Sequence, residues 1–281
     1  MLKSLQKAFK VKEVRDRLLY TFMMLVVIRI GCCLPIPGVD PSYLHDFFSN
    51  LQNSGMGFFN AITGGSFSSM SIFALSITPY ITSSIIMQLL TIAIPKLEEM
   101  QKDGEDGRKK ITAITRYVTI FLAVIESLGL VIGFDRGHYM TVTGPLGYLL
   151  VIITLTTGSA FVMWLGERVT EKGVGNGISI ILLINIVARI PNDLSNLYQN
   201  YVAKPTDVTS KIIAAVIILA IIVAMFVFIV FLQDGERRIP VQYAKKIQGH
   251  KVSGGQSSHI PLKVNTAGVI PVIFASSMMS L

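Results

Sequence analysis

Charge is what this chain has least of. Only 15% of its 281 residues are charged and 51% are hydrophobic, whereas soluble domains carry about 25% charged residues. With a mean hydropathy of +0.58, the composition excludes an ordinary soluble domain and fits a polytopic membrane protein with substantial loops. Cysteine is almost absent. Cys32 and Cys33 are adjacent, and neighbouring residues rarely reach unstrained disulfide geometry, so both read as reduced core residues. His45, His138, His250 and His259 are scattered without ligand spacing, so no metal or other cofactor is expected. The chain has no Gly-x-Ser-x-Gly, no His-Glu-x-x-His, no aspartyl pair within an apolar segment and no Thr-Val-Gly-Tyr-Gly filter. Intramembrane proteolysis and potassium-type selectivity therefore have no residues to carry them, and no enzyme activity is expected. The Gly104-to-Gly107 spacing has no Walker lysine beside it and does not predict a nucleotide site.

Cations are missing from alternate loops, and that pattern sets orientation. The net charge is +8. Residues 35–70 carry no cation and 135–144 only Arg136, whereas the arm 1–17 and the loops 96–116, 166–176 and 233–263 share nearly all the others. By the positive-inside rule the N-terminus is cytoplasmic. Residues 1–17 read as a basic amphipathic arm rather than a cleavable signal peptide. Apolar segments lie near 18–35, 71–95, 117–134, 145–165, 177–191, 211–232 and 266–281, judged against the ~20 residues a bilayer needs. The last runs to Leu281 without a polar flank, so the chain is expected to be the N-terminal part of a longer polypeptide.

Two of the cationic loops, 96–116 and 233–263, are longer than a chain reversal needs. Each pairs a glycine-containing tip with clustered cations: Gly107 with Arg108, Lys109 and Lys110, and Gly235 with Arg237 and Arg238. A cationic tip held off the membrane suits an anionic partner such as ribosomal RNA or an acidic protein groove.

The stretch 76–88, Ser-Ile-Thr-Pro-Tyr-Ile-Thr-Ser-Ser-Ile-Ile-Met-Gln, is apolar enough for a bilayer yet rich in hydroxyl and amide groups. Ile77, Ile81 and Ile85 stack on one helical face, which suits a helix lining a membrane pathway. Before it, Gly57, Phe58, Phe59, Asn60, Ala61 and Ile62 read as a short apolar helical turn. Thr63, Gly64, Gly65, Ser66, Phe67, Ser68 and Ser69 read as a flexible break. Together they predict a re-entrant piece covered by protein or a water cavity, or alternatively an external loop packed on helix ends. Gly173-Val-Gly-Asn-Gly177 opens a helix on which Ile178 and Leu182 share a face. The Pro-x-Ile…Ser-Ser pattern at 79–84 recurs around Pro271, Ile273 and Ser277, in a segment of opposite orientation, as inverted repeats meeting at a pathway would show.

Pro35-Ile-Pro-Gly38, residues 77–85, Gly107-Arg-Lys-Lys-Ile111 with Thr115-Arg-Tyr117, Gly173-Val-Gly-Asn-Gly-Ile-Ser179 and residues 262–271 occur in this order. Together they resemble the SecY family, the channel subunits of the bacterial Sec translocon. The resemblance implies an all-α membrane bundle of two inverted five-helix halves. This chain would supply the first half (18–191) and part of the second (192–281), lacking helices eight to ten. It implies a passive protein-conducting channel in the cytoplasmic membrane, which passes unfolded secretory proteins and releases membrane segments sideways into lipid.

Its pore ring would comprise Ile77, Ile81, Ile178, Leu182 and Ile273, and its plug would be Gly57 to Phe67. Its lateral gate would lie between the second and seventh helices, with Thr82, Ser83, Ile85, Ile86, Gln88, Phe274 and Ser277 at the seam. Arg108, Lys109, Lys110, Arg116, Arg237, Arg238, Lys245 and Lys246 would dock the SecA motor and the ribosome. Implied partners are SecE, SecG, SecA, the ribosome, signal peptides, translocating polypeptides and membrane lipids, with no DNA and no small-molecule substrate. The competing expectation is a secondary transporter with a midplane solute site. Its candidate residues are Arg29 and Glu126, for which snorkelling and an interhelical hydrogen bond are the simpler readings.

Overall fold

The computed structural model describes residues 11–39, 60–137, 139–142, 144–203, 208–241, 246–248, 251–253 and 258–266, with Gly268, Pro271 and Ala275. The chain divides into one compact unit of Met1–Pro191 with Ile273–Leu281, and a second of Asn192–Val272.

In the first unit, α1 runs Lys12–Cys33 and stops where Leu34 turns extended ahead of Pro35, since the residue before proline disfavours the helical region. The apolar run from residue 71 predicts a helix over 71–95, but α2 spans only Thr78–Ala93. Residues 63–76 instead form consecutive turns, held by left-handed backbone at Met70 (φ 43°) and Ser76 (φ 51°). Hydrogen bonds from Ile36 N–H to the Met70 carbonyl (2.9 Å) and from Ile72 N–H to the Leu34 carbonyl (2.9 Å) tie this segment to the end of α1.

Ile94 is extended, and Pro95 opens α3 (Pro95–Lys102) at 102° to α2. Gly104, at φ 79°, starts α4 (Glu105–Arg136). The sequence placed this segment at 117–134 with a basic loop before it. The loop is in fact a helical hairpin, and Arg108, Lys109 and Lys110 sit in the exposed first turns of α4. α5 (Pro145–Lys172) begins with proline at its first position, where the missing N–H is not needed. α6 (Gly177–Leu197) carries Pro191 inside it and is capped by Asn176, whose Oδ1 accepts from Ile178 N–H (3.0 Å).

Two apolar clusters fill this unit. One joins Ile36, Val39, Phe67, Met70, Ala74 and Leu75 to Ala123, Val131, Phe134, Val151 and Leu155. The other joins Ile28, Cys32, Phe73, Ile77, Val162, Leu165 and Ile181.

In the second unit, α6 passes into a π-helical turn, Tyr198–Ala203, and α7 spans Val208–Asp234. Strands β1 (Glu236–Val241) and β4 (Ser258–Lys263) pair antiparallel, as do β2 (Lys246–Gln248) and β3 (Lys251–Ser253). These ribbons are the departure from an all-helical chain. By length and composition α4, α5, α6 with its π turn, and α7 can each cross a membrane, and the bent α2–α3 pair is a fifth candidate.

Candidate pore waist, plug and gate

Gly166 on α5 lies at the centre of the candidate waist. A Cβ there would lie 3.3 Å from Ile181 Cδ1 and 3.4 Å from both Ile178 Cγ1 and Ile77 Cδ1. A side chain at 166 would keep the three isoleucines apart, and hydrogen lets them converge. Ile77 is fully buried at the N-cap of α2, and Ile81, Ile178 and Leu182 pack against the same cluster as partly buried neighbours. The structure thus brings together four of the five residues expected in the ring. Ile273 lies outside the described residues. Sequence reasoning missed Ile181, fully buried beside Ile77, because it follows the i, i+4 row from Ile178 and so passes over the i+3 position. It also missed Gly166 and Asn185.

Of the expected plug, Gly57, Phe58 and Phe59 lie outside the described residues. Asn60, Ala61 and Ile62 form one helical turn, and Thr63 to Phe67 continue as turns. The Gly/Ser run is not the flexible break its composition predicts. Ser66 Oγ donates to the Thr63 carbonyl (2.7 Å) and the Phe73 carbonyl (3.1 Å), and Ser71 Oγ donates to the Ser66 carbonyl (3.2 Å). The Asn60 side-chain carbonyl accepts from Ser68 N–H (3.1 Å). Thr63, Ser66 and Phe67 are buried. Short hydroxyls that bond nearby backbone carbonyls rigidify a turn as readily as they solvate a loop. Gly64 (φ 71°) seats against α6, where a Cβ would fall 2.7 Å from the Asn185 carbonyl oxygen.

The gate residues on α2 separate into two groups. Thr82 Oγ1 bonds back to the Thr78 carbonyl (3.1 Å), and buried Ser83 donates to the Thr115 carbonyl of α4 (2.8 Å). Ser83 therefore fastens α2 to α4 rather than facing an open seam. Ile85 and Ile86 are half-buried and Gln88 is exposed. Phe274 and Ser277 lie outside the described residues.

The docking candidates also separate. Arg108, Lys109 and Lys110 are exposed, with Lys109 only 3.8 Å from Asp106. Arg116 Nε meets Glu167 Oε1 at 2.7 Å, so it braces α4 against α5. Removing that pair by Arg116→Ala is expected to lower stability by about 1 kcal/mol or less, because the guanidinium is half exposed and the pair screened. Thermal unfolding in detergent measures it. Arg237 and Arg238 are exposed on β1, paired in register with Leu262 and Pro261. They lie at the base of the ribbon, immediately after α7, and not at a loop tip as the sequence predicts. Lys245 lies outside the described residues, and Lys246 opens β2.

For the transporter reading, Arg29 does not snorkel completely. Its Nη1 is buried and has no hydrogen-bond partner among the described residues. Among those residues, no three His, Cys, Asp or Glu side chains cluster as metal ligands would.

Solved structures share this fold. One, described as a protein conducting channel, superposes with a TM-score of 0.61 at 22% identity, covering 95% of this chain and 56% of the other. A second, described as Sec61 in the canine ribosome-channel complex from the endoplasmic reticulum, gives 0.59 at 21%, covering 95% and 57%. The fold is therefore the helical membrane bundle of protein-conducting channels. Residues 71–281 match the SecY family model. The protein translocase subunit SecY of Halalkalibacterium halodurans is 45% identical across 99% of this chain and 65% of its own length. That of Escherichia coli (strain K12) is 44% identical, covering 95% and 60%. The chain belongs to the SecY family, and it spans about 60–65% of the length of these relatives.

Proposed function

We propose that this chain forms part of a protein-conducting channel in the bacterial cytoplasmic membrane, with its N-terminus cytoplasmic. Unfolded secretory chains cross through a waist closed by Ile77, Ile81, Ile178, Leu182 and Ile273, and residues 57–67 act as the plug. The observation that carries this reading is the seating of Gly64, within the family's plug segment, on the same helix that supplies Ile178, Ile181 and Leu182 to the waist. A narrow aliphatic constriction excludes ions by dewetting and offers a passing polypeptide no binding site. Membrane segments leave at the face of α2 bearing Ile85, Ile86 and Gln88, toward the segment with Phe274 and Ser277.

Residues 18–191 are the first inverted half and 192–281 belong to the second. SecE and SecG complete the channel. SecA and the ribosome bind Arg108, Lys109, Lys110, Arg237, Arg238, Lys245 and Lys246 and supply the driving force, so the chain itself performs no catalysis. A midplane solute site is disfavoured because the cluster packed around Ile77 is apolar where such a site would need converging polar ligands. A photo-crosslinker at position 81 or 273 is expected to capture a stalled secretory chain in transit. Strong crosslinks elsewhere with none at either position would refute the pore assignment.

A further inference from the structure

Asn185 sits where the plug, the break before α2 and the waist helix meet. It is 1% exposed, and its Nδ2 donates to Ser76 Oγ at 3.1 Å. Its Oδ1 is buried and has no partner among the described residues. Its backbone receives Gly64 of the plug, with a Cβ at 64 falling 2.7 Å from the Asn185 carbonyl oxygen and 2.9 Å from its Cα. Ser76 is one of two non-glycine residues with positive φ among the described residues, at 51°, and it immediately precedes Ile77 of the waist. Ser66, two residues after Gly64, bonds the Phe73 carbonyl (3.1 Å), so the plug and the segment leading into α2 are linked to each other as well as to Asn185.

We infer that Asn185 is a positioning residue that latches the plug in the closed channel; this rests on the plug and waist reading above. Its amide holds the Ser76 turn, and its backbone seats the Gly64 turn, so both elements adjoining the waist share one anchor. The unmet Oδ1 makes the closed arrangement incompletely satisfied, because a buried acceptor without a donor is unfavourable. Water or a backbone N–H entering the waist would satisfy it.

The test uses the full-length channel with its partner subunits, comparing wild type with Asn185→Ala, Ser76→Ala and the double variant. Hydrogen exchange of residues 60–67 is expected to accelerate at least tenfold in each single variant, with ion leak through the resting channel rising several-fold. The double variant should be no worse than either single, since both remove one interaction. Exchange along α5 should stay unchanged, which separates release of the plug from general unfolding. Ser76→Ala removes only a hydroxyl and decides the matter if Asn185→Ala yields no folded protein. Unchanged exchange at 60–67, acceleration spread equally over α5, or additive effects would each overturn the latch. The crosslink at position 81 is run on the same proteins. If wild type crosslinks while plug exchange does not respond, only the latch fails; if wild type does not crosslink, the channel reading itself fails.

Discussion

Gly166→Leu is expected to abolish the resting seal. The added side chain must occupy space already taken by Ile77 Cδ1, Ile178 Cγ1 and Ile181 Cδ1, all within 3.4 Å of where its first carbon would sit. Overpacking a filled core costs about 1–3 kcal/mol, and here the neighbours that must give way belong to the proposed constriction. Displacement of Ile77 or Ile178 would widen the constriction, and a hydrophobic gate that wets begins to conduct. Single-channel recordings of the resting channel should show ion leak at least tenfold above wild type. Gly166→Ala should give a graded, smaller leak, because its Cβ sits at the tight limit of contact without further atoms. Unaltered conductance in Gly166→Leu would mean that this cluster does not close the pore.

The second large effect is expected from Arg237→Glu with Arg238→Glu. Both side chains are exposed on β1 directly after α7, and Arg238 has only a distant contact with Glu236, at 3.9 Å. Each reversal changes the local charge by two, so the pair changes it by four. Contacts with an anionic surface scale steeply with such charge and weaken with salt. Motor-driven export into vesicles should fall more than tenfold, and ribosome binding should lose much of its salt dependence. The folded state should be hardly affected, since exposed charges contribute little to stability. Export at the wild-type rate would remove these arginines from any docking surface.

The membrane class and most of the apolar spans among the described residues were legible because apolar runs are local properties. The faces shared by Ile77 and Ile81, and by Ile178 and Leu182, could be read from their spacing, while their place in a ring came from the family resemblance. Ile181 could not, because its burial depends on a glycine fifteen positions earlier on a different helix. The plug was misjudged as hinged for a related reason. Nothing in Thr-Gly-Gly-Ser-Phe-Ser-Ser tells a solvated linker from turns whose hydroxyls reach carbonyls as far away as Phe73. The ribbon was illegible because Glu-Arg-Arg-Ile-Pro-Val shows neither clean alternation nor a strong strand propensity, and its partner lies beyond a long insertion. Arg116 looked free until Glu167, 51 positions away, closed on it.

The bend at Ile94 has a mechanical consequence. One residue separates α2 from α3, and two, Asp103 and Gly104, separate α3 from α4. Gly107 fits so closely beneath the Met100 carbonyl that a side chain there would collide with it, and the Ser83–Thr115 bond closes the triangle. Force applied to the first turns of α4 is therefore transmitted to α2 with little slack. A displacement of α3 is thus expected to reach the helix that carries Ile81.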